Sequence, residues 1–512
     1  MGEADKPGLQ EEVLAFLCAS LPAPIERVDT HAAVVLLAGD RAFKLKRAVR
    51  YSFLDFSTLE RRRRALEREL ELNRRTAPDL YLGILPVVRC RDGSLALGGA
   101  GEPVEFLLEM RRFPSEARLD RVAARGGLTA ELLDQLADAI VRFHRQAEVH
   151  TEAGGVEGMR AVIAGNATDL RALAGTVLEA EAVEELIAET GRTLARLSGV
   201  LECRRLAGCV RQCHGDLHLE NIVLLDGRPV PFDCIEFDDT LARIDVLYDL
   251  AFLLMDLLRR GHAEAAWRLL QTWHEKVGED VGLATLPFFL SVRAAIRAKV
   301  EGLACRLAEE PDRVAGHRAA AGAYLDLARK LLEPAPPRLV VVGGLSGTGK
   351  SSVARSLAPK LLPEPGALVL RSDVLRKRLF GRCPQERLPE IAYRAEISQR
   401  VFAALARRAR RLLMAGRSVV CDAVYGEPWQ RQQIEAVARD LGVSFAAFWL
   451  EAPVEVLERR VASRAGDASD ADIAVLRRQL DHLDTEAVAW PRIDAARPVF
   501  EVVADVASRL GL

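Results

Sequence analysis

The chain has 512 residues, of which 49% are hydrophobic and 28% charged, a globular composition too long for a single hydrophobic core. Its formal net charge of −2 excludes an overall basic field for nucleic acid. The opening segment is acidic where a signal peptide needs a basic region, and nine scattered cysteines lack paired Cys-x-x-Cys spacing, so a cytoplasmic protein with reduced thiols is expected.

In chain order, residues 34–37 and 41–45 read as two strands turning at Gly39-Asp40, a hairpin signal. A charged helix is predicted over 58–73 and a second strand pair over 82–88 and 104–110. After Arg112 the pattern is helical except around 211–237. The most apolar run, 247–258, is interrupted by Asp249 and Asp256 and is shorter than the ~20 residues that span a bilayer, so it is expected to be a buried helix. A strand-rich lobe ahead of a helical lobe is a two-lobe kinase layout. The arginine runs 61–64 and 407–411 read as solvated helix faces, with a phosphate or RNA contact surface as the alternative.

The most informative stretch of this region is His214-Gly-Asp216-Leu-His218-Leu-Glu-Asn221, followed by Asp233 beyond a hairpin signal at Asp226-Gly227. An aspartate can orient and deprotonate an acceptor hydroxyl. An asparagine five residues on and an aspartate past a hairpin can hold the magnesium that bridges nucleotide phosphates. The set resembles the catalytic loop of the aminoglycoside phosphotransferase and choline-kinase-like family, which shares the protein-kinase architecture. The resemblance spans roughly residues 25–330. It implies Asp216 as base, Asn221 and Asp233 as metal ligands, and His214 and His218 as positioning groups. Asp245 and Asp249 match a family segment whose aspartate props the catalytic loop. It also implies a strand lysine at the α/β-phosphates, Lys44 with Lys46 as alternate, since both share one strand face. Glu67, Glu69 and Glu71 compete to pair with it, and the spacing to Ala77-Pro78 favours Glu69. Residues 109–114 would form the hinge whose backbone binds adenine. No G-x-G-x-x-G loop precedes Lys44, a departure that aminoglycoside-type kinases often share.

An alanine-rich helix over 319–332 must end at Glu333-Pro-Ala-Pro-Pro337, because proline lacks the amide donor and disfavours helix before it. A first domain over 1–332, a linker over 333–337 and a last domain over 338–512 are expected. In the last, apolar strands at 338–342, 367–371, 418–421 and 445–450 alternate with helical stretches, the pattern of a parallel sheet covered by helices. Between the first strand and a helix over 352–358, Gly344-Leu345-Ser346-Gly347-Thr348-Gly349-Lys350-Ser351 satisfies G-x-x-x-x-G-K-[ST], with Ser352 completing the nucleotide-binding run. Glycines let backbone amides turn around a β-phosphate, Lys350 adds charge at the β/γ oxygens, and Ser351 can ligate magnesium.

Asp373 follows a strand at its carboxyl edge and can serve as base, while Arg376 holds an anionic part of the acceptor; simple capping of the next helix by Ser372 or Asp373 is the competing reading. Asp422 ends another strand, where a carboxylate reaches the magnesium shell. Arg460 and Arg464 share a helical face before a loop, with Ser469 and Asp472 as a capping-box-like start to the following helix. A helix, loop and helix bearing arginines resembles the lid of nucleoside-monophosphate-kinase-like enzymes, whose arginines neutralise the transferred phosphoryl group. As a set, these motifs over 338–512 resemble the kinases grouped with polynucleotide kinase and zeta toxins, and gluconate kinase has a related layout.

The expected fold is an α+β protein-kinase-like two-lobe domain followed by an α/β P-loop domain with a parallel sheet. The expected function is phosphoryl transfer by two modules, each using ATP and magnesium on a hydroxyl of a small molecule, with no membrane partner. Two alternatives stand beside it. The P-loop domain as a 5′-hydroxyl nucleic-acid kinase needs stacking aromatics, for which Tyr393, Tyr425 and Trp429 are candidates. A regulatory pseudokinase in the first domain conflicts with its complete Asp216, Asn221 and Asp233 set.

Overall fold

A computed structural model describes residues 8–30, 32–51, 54–383, 385–463 and 469–512. They form two compact units, one of residues 1–162 and 202–256, the other of 163–201 and 257–512.

The first unit is built on an antiparallel sheet of β1 (Ile25–Asp29), β2 (Ala33–Ala38), β3 (Arg41–Lys46), β4 (Tyr81–Arg89), β5 (Leu95–Leu97) and β6 (Glu102–Arg111), in the order β1-β2-β3-β6-β4-β5. The β2–β3 hairpin closes with Ala38 opposite Arg41, and Gly39 takes a positive φ in the turn. One face of this sheet is apolar. Phe43 and Leu45 of β3 join Val34, Leu36 and Leu107 in a core closed by Val13 and Leu17 of α1 (Leu9–Ser20). Successive strand side chains point to opposite faces, so Lys44 and Lys46 are delivered to the other side. There α2 (Leu59–Asn73), N-capped by Thr58, turns Arg62, Leu66 and Glu69 inward at helical spacing.

Arg62 corrects the solvated reading of its run. It is fully buried and donates to Glu105 at 3.0 Å and to the Phe56 carbonyl, while Arg63 and Arg64 stay exposed in pairs with Glu67 and Glu60. The irregular stretch after the helical region comprises β7 (Val210–Gln212), the hairpin β8 (Ile222–Leu225) and β9 (Arg228–Pro231), and β10 (Arg243–Asp245), which pairs with β7. The apolar run at 247–258 is buried within α3 (Val246–Arg259).

Besides helical sequence within 163–201, the second unit contains helices α4 (Ala263–Val277), α5 (Leu286–Leu307) and α6 (Pro311–Lys330). The segment Val281–Leu307 is long and apolar enough to cross a membrane by length and composition alone, yet most of it is buried inside the protein. Within it, Ser291 donates to the Ala328 carbonyl of α6. Beyond residue 337 lies a parallel sheet of β11 (Arg338–Gly344), β12 (Leu368–Arg371), β13 (Val419–Asp422), β14 (Ser444–Glu451) and β15 (Arg492–Asp494), in the order β12-β13-β11-β14-β15. Leu339–Val342 are buried on both sheet faces, which is why they read as an unbroken apolar run. Around the sheet stand α7 (Lys350–Leu357), α8 (Ser372–Leu379), α9 (Ala395–Met414), α10 (Val454–Ala462) and α11 (Ile473–His482).

Two further particulars differ from the sequence reading. Asp472 is itself the N-cap of α11, accepting from the Val475 amide at 2.9 Å, so the helix starts one turn later than a Ser469 cap implies. Arg408, in the second arginine run, is mostly buried and pairs with Asp280 at 2.6 Å.

Candidate active sites

The first site is a cleft of about 860 Å³ in the first unit, lined by Lys44, Lys46, Asp216, Asn221, Asp233 and the strand-to-loop segment Met110–Pro114. Lys44 Nζ donates to Glu69 Oε1 at 2.7 Å and to Asp233 Oδ1 at 3.1 Å. Burial works against the Lys44 charge, but the Asp233 and Glu69 carboxylates outweigh it and hold the ammonium well above the ordinary lysine value. Glu69 is buried too, and Lys44 with Lys46 holds its carboxyl down at about 2. Of the three competing glutamates only Glu69 faces the sheet; Glu67 and Glu71 are exposed in pairs with Arg63 and Arg68.

Asp216 accepts from Asn221 Nδ2 at 2.9 Å, and His218 Nε2 lies 3.3 Å from the same carboxylate. The loop carrying Asp216 is held from behind. Asp249, fully buried, accepts from the backbone amides of His214 at 3.2 Å and Gly215 at 2.9 Å, and contacts His144 Nε2 at 3.0 Å. One turn pair further along α3, Asp256 accepts from the Leu219 amide at 3.1 Å. Asp245 has a different task, pairing with Arg204 through two 2.7 Å bonds and accepting from the Leu247 amide. Gly215 has a φ of 84°, and a Cβ there would lie 3.0 Å from the Leu241 carbonyl. His214 is buried against the Phe232 carbonyl at 2.9 Å, and burial lowers its pKa. Asp233 also has a positive φ, and its amide donates to the Tyr81 hydroxyl.

The second site is a cavity of about 830 Å³ at the carboxyl end of the parallel sheet. The loop after β11 needs its glycines for closeness as well as turning: a Cβ on Gly344 would meet the Leu450 carbonyl at 2.5 Å, and one on Gly347 the Leu457 carbonyl at 2.8 Å. Lys350 Nζ donates to the Leu345 carbonyl at 2.9 Å, and Gln479 of α11 accepts from the Ser346 amide. Ser351 Oγ donates to Asp422 Oδ2 at 2.6 Å, which Arg371 Nε also approaches at 3.3 Å. Helix α8 has no side-chain cap, so neither Ser372 nor Asp373 is spent on capping. Asp373 lines the cavity, where burial first and Asp422 second raise its carboxyl above the ordinary value. Arg376, buried one helical turn on, donates to the Ala392 carbonyl and Ser398 hydroxyl and lies over the Tyr393 ring. Arg460 lines the same cavity and donates to the carbonyls of Ala495 and Ala496. Arg464 lies outside the described residues.

Across 482 residues, uncharacterized proteins of Mycobacterium tuberculosis and Mycobacterium bovis are 35% identical to this chain, covering 92% of it and 92% of their own length. The chain belongs to their family. Family models match two segments, Phosphotransferase enzyme family over residues 35–285 and AAA domain over residues 339–485. The chain therefore joins a phosphotransferase-family module to a P-loop module that matches the AAA domain model. Among solved structures, a choline/ethanolamine kinase family protein from Mesorhizobium loti has a TM-score of 0.41 at 16% identity, covering 64% of this chain and 95% of that one. A gluconokinase from Sinorhizobium meliloti has a TM-score of 0.25 at 24% identity, covering 34% of this chain and 97% of that one.

Sequence reasoning missed several groups in the two modules. Lys46, held as an alternate to Lys44, instead works alongside it, bridging Glu69 and Glu236 at 2.6 Å each. Its Glu236 partner follows Asp233 by three residues, a spacing that was visible. Burial, with Glu69 nearby, raises the Glu236 carboxyl. In the P-loop module Lys377 is buried and donates to Asp470 at 2.9 Å, and the Tyr393 hydroxyl donates to the same carboxylate at 2.6 Å. Tyr425 is fully buried, edge-on to Phe402 and Trp490, which removes it from any base-stacking surface.

Proposed function

We propose that the chain is an ATP- and magnesium-dependent phosphotransferase with two sites, each phosphorylating a hydroxyl of a small molecule. The observation that carries this reading is the Lys44 ammonium, paired at once with Glu69 and Asp233 in the cleft that Asp216 and Asn221 also line. A lysine so held keeps its charge and its place, as a group meeting nucleotide phosphates must. The donor sets suit magnesium nucleotide: oxygen ligands Asn221 and Asp233 in one site, Ser351 and Asp422 in the other. When bound, magnesium-ATP would supply the phosphoryl group, and the cation would offset the charge of its phosphates.

In the first site Asp216 accepts the acceptor's hydroxyl proton as the new oxygen–phosphorus bond forms and the bond to the leaving diphosphate breaks. His218 and Asn221 orient that carboxylate, and residues 109–114 offer backbone to adenine. In the second, Lys350 and the loop amides hold the phosphates, Asp373 takes the proton, and Arg460 and Arg464 act on the transferred group. Arg376 has its Nε without a hydrogen-bond partner among the described residues. Lying one turn from Asp373 in the same cavity, it favours an acceptor that carries an anionic group near its hydroxyl.

The test is an ATP-dependent phosphorylation screen of the full chain over alcohols, sugars, aminoglycosides, nucleosides and 5′-hydroxyl oligonucleotides. Each product is then remade with Asp216→Asn and Lys350→Ala proteins. Every product is expected to depend on one of the two residues. Products formed at full rate by both variants, or no product at all, reject the two-site reading; an oligonucleotide product lost in Lys350→Ala selects the nucleic-acid kinase.

A further inference from the structure

Strand β12 is the edge of the parallel sheet, bonded on one side to β13. In a parallel pair the backbone groups of alternate residues face outward. Here Leu368 donates inward to the Ser418 carbonyl, leaving the outward groups of Ala367 and Val369 to be satisfied elsewhere. Helix α4 satisfies them with side chains. Trp267 Nε1 donates to the Ala367 carbonyl at 2.8 Å. The Gln271 amide does what another strand would do, accepting from the Val369 amide at 2.9 Å and donating to the Val369 carbonyl at 3.0 Å.

The approach is close: a Cβ on Gly366 would meet Trp267 Cδ1 at 2.7 Å, and the indole belongs to the apolar core of the sheet with Val340, Val342 and Val369. Arg408 of α9 reinforces the docking through Asp280 at 2.6 Å and His274 at 3.0 Å. The next outward position after Val369 is Arg371, where the strand becomes α8, and two residues later stands Asp373.

We propose that Gln271 is a positioning residue of the P-loop site: by clamping Val369 it sets where β12 ends and so where Asp373 stands. The clamp comes from outside the segment matched as AAA domain and inside the one matched as phosphotransferase. The P-loop site therefore takes one of its positioning groups from the preceding module. This inference rests on the proposed activity of the P-loop site.

The test uses full-length protein, with magnesium-ATP hydrolysis as the assay and Lys350→Ala defining the share due to the P-loop site. Gln271→Met keeps the volume and removes both bonds to Val369. It is expected to lower the Lys350-dependent kcat by roughly tenfold or more, because small misplacements of a reacting group are costly. The KM for ATP should stay within about twofold, since the phosphate loop hangs on β11 and α7. Trp267→Phe, which acts two residues further from Arg371, should cost less, and amide exchange over 369–373 should quicken in Gln271→Met but not in β11. An unchanged kcat with a lowered Tm, or a KM for ATP that rises in step with the loss, makes Gln271 a packing residue and overturns the proposal. Should Gln271→Met not fold, Gln271→Glu, which keeps the acceptor for the Val369 amide, carries the same comparison. A wild-type chain without Lys350-dependent turnover rejects the activity itself, and the positioning role with it.

Discussion

Asp373 pits stability against function. Burial, then Asp422, raises its carboxyl above the ordinary value. Between the ordinary and the raised pKa the folded chain therefore binds more protons than the unfolded one, so stability falls as pH rises through that window and the penalty is complete above it. Asp373→Asn is expected to raise Tm at neutral pH, with the difference from wild type closing on acidification, while P-loop transfer drops ~10²–10⁴-fold; thermal melts across pH beside a rate measurement check both. Wild-type transfer at this site should decline as pH falls below the raised value, because a protonated base accepts nothing. In the first site the roles separate by ligand. Asp216→Asn keeps an acceptor for Asn221 Nδ2, so calorimetry should find magnesium-nucleotide affinity nearly intact while transfer falls ~10²–10⁴-fold. Asp233→Ala removes a carboxylate from Lys44 and should weaken nucleotide binding itself.

The loop carrying Asp216 shows how an element is placed by another. Asp249 and Asp256 lie two helical turns apart on α3 and hold the loop by its amides at His214, Gly215 and Leu219. Asp249→Ala leaves two of those donors buried and unpaired, and Asp216-dependent transfer should fall by ~10-fold or more as the loop shifts. Asp245→Ala instead removes the carboxylate that two bonds tie to buried Arg204, and should lower Tm while sparing Asp216-dependent kcat; equal kinetic loss in both would deny the division. The sequence made this loop legible because its chemistry is local: an aspartate and an asparagine five residues apart, a hairpin, then Asp233. The P-loop and the parallel strands were legible for the same reason, through fixed spacing and unbroken apolar runs. Burial of single members of the arginine runs was not legible. Arg62 and Arg408 look like their exposed neighbours until partners 43 and 128 residues away are known. Strand β15 has three residues, too few to carry a pattern.

At the scale of the molecule, the proline-rich stretch 333–337 reads as a seam, yet the second compact unit continues across it. Trp267, Gln271 and Asp280 before it are bound to Ala367, Val369 and Arg408 after it. A protease site inserted at 333–337 and cut in the folded protein should therefore release nothing: the two pieces are expected to elute together on size exclusion and to part only in denaturant, and two separate native peaks would contradict this. The β12 edge also bears on how the chain is made. An open strand edge invites pairing with other chains, and synthesis runs from the amino end. The helix that covers this edge lies 98 residues ahead of the strand it covers, so it leaves the ribosome first, and the nascent strand emerges with its cover already made.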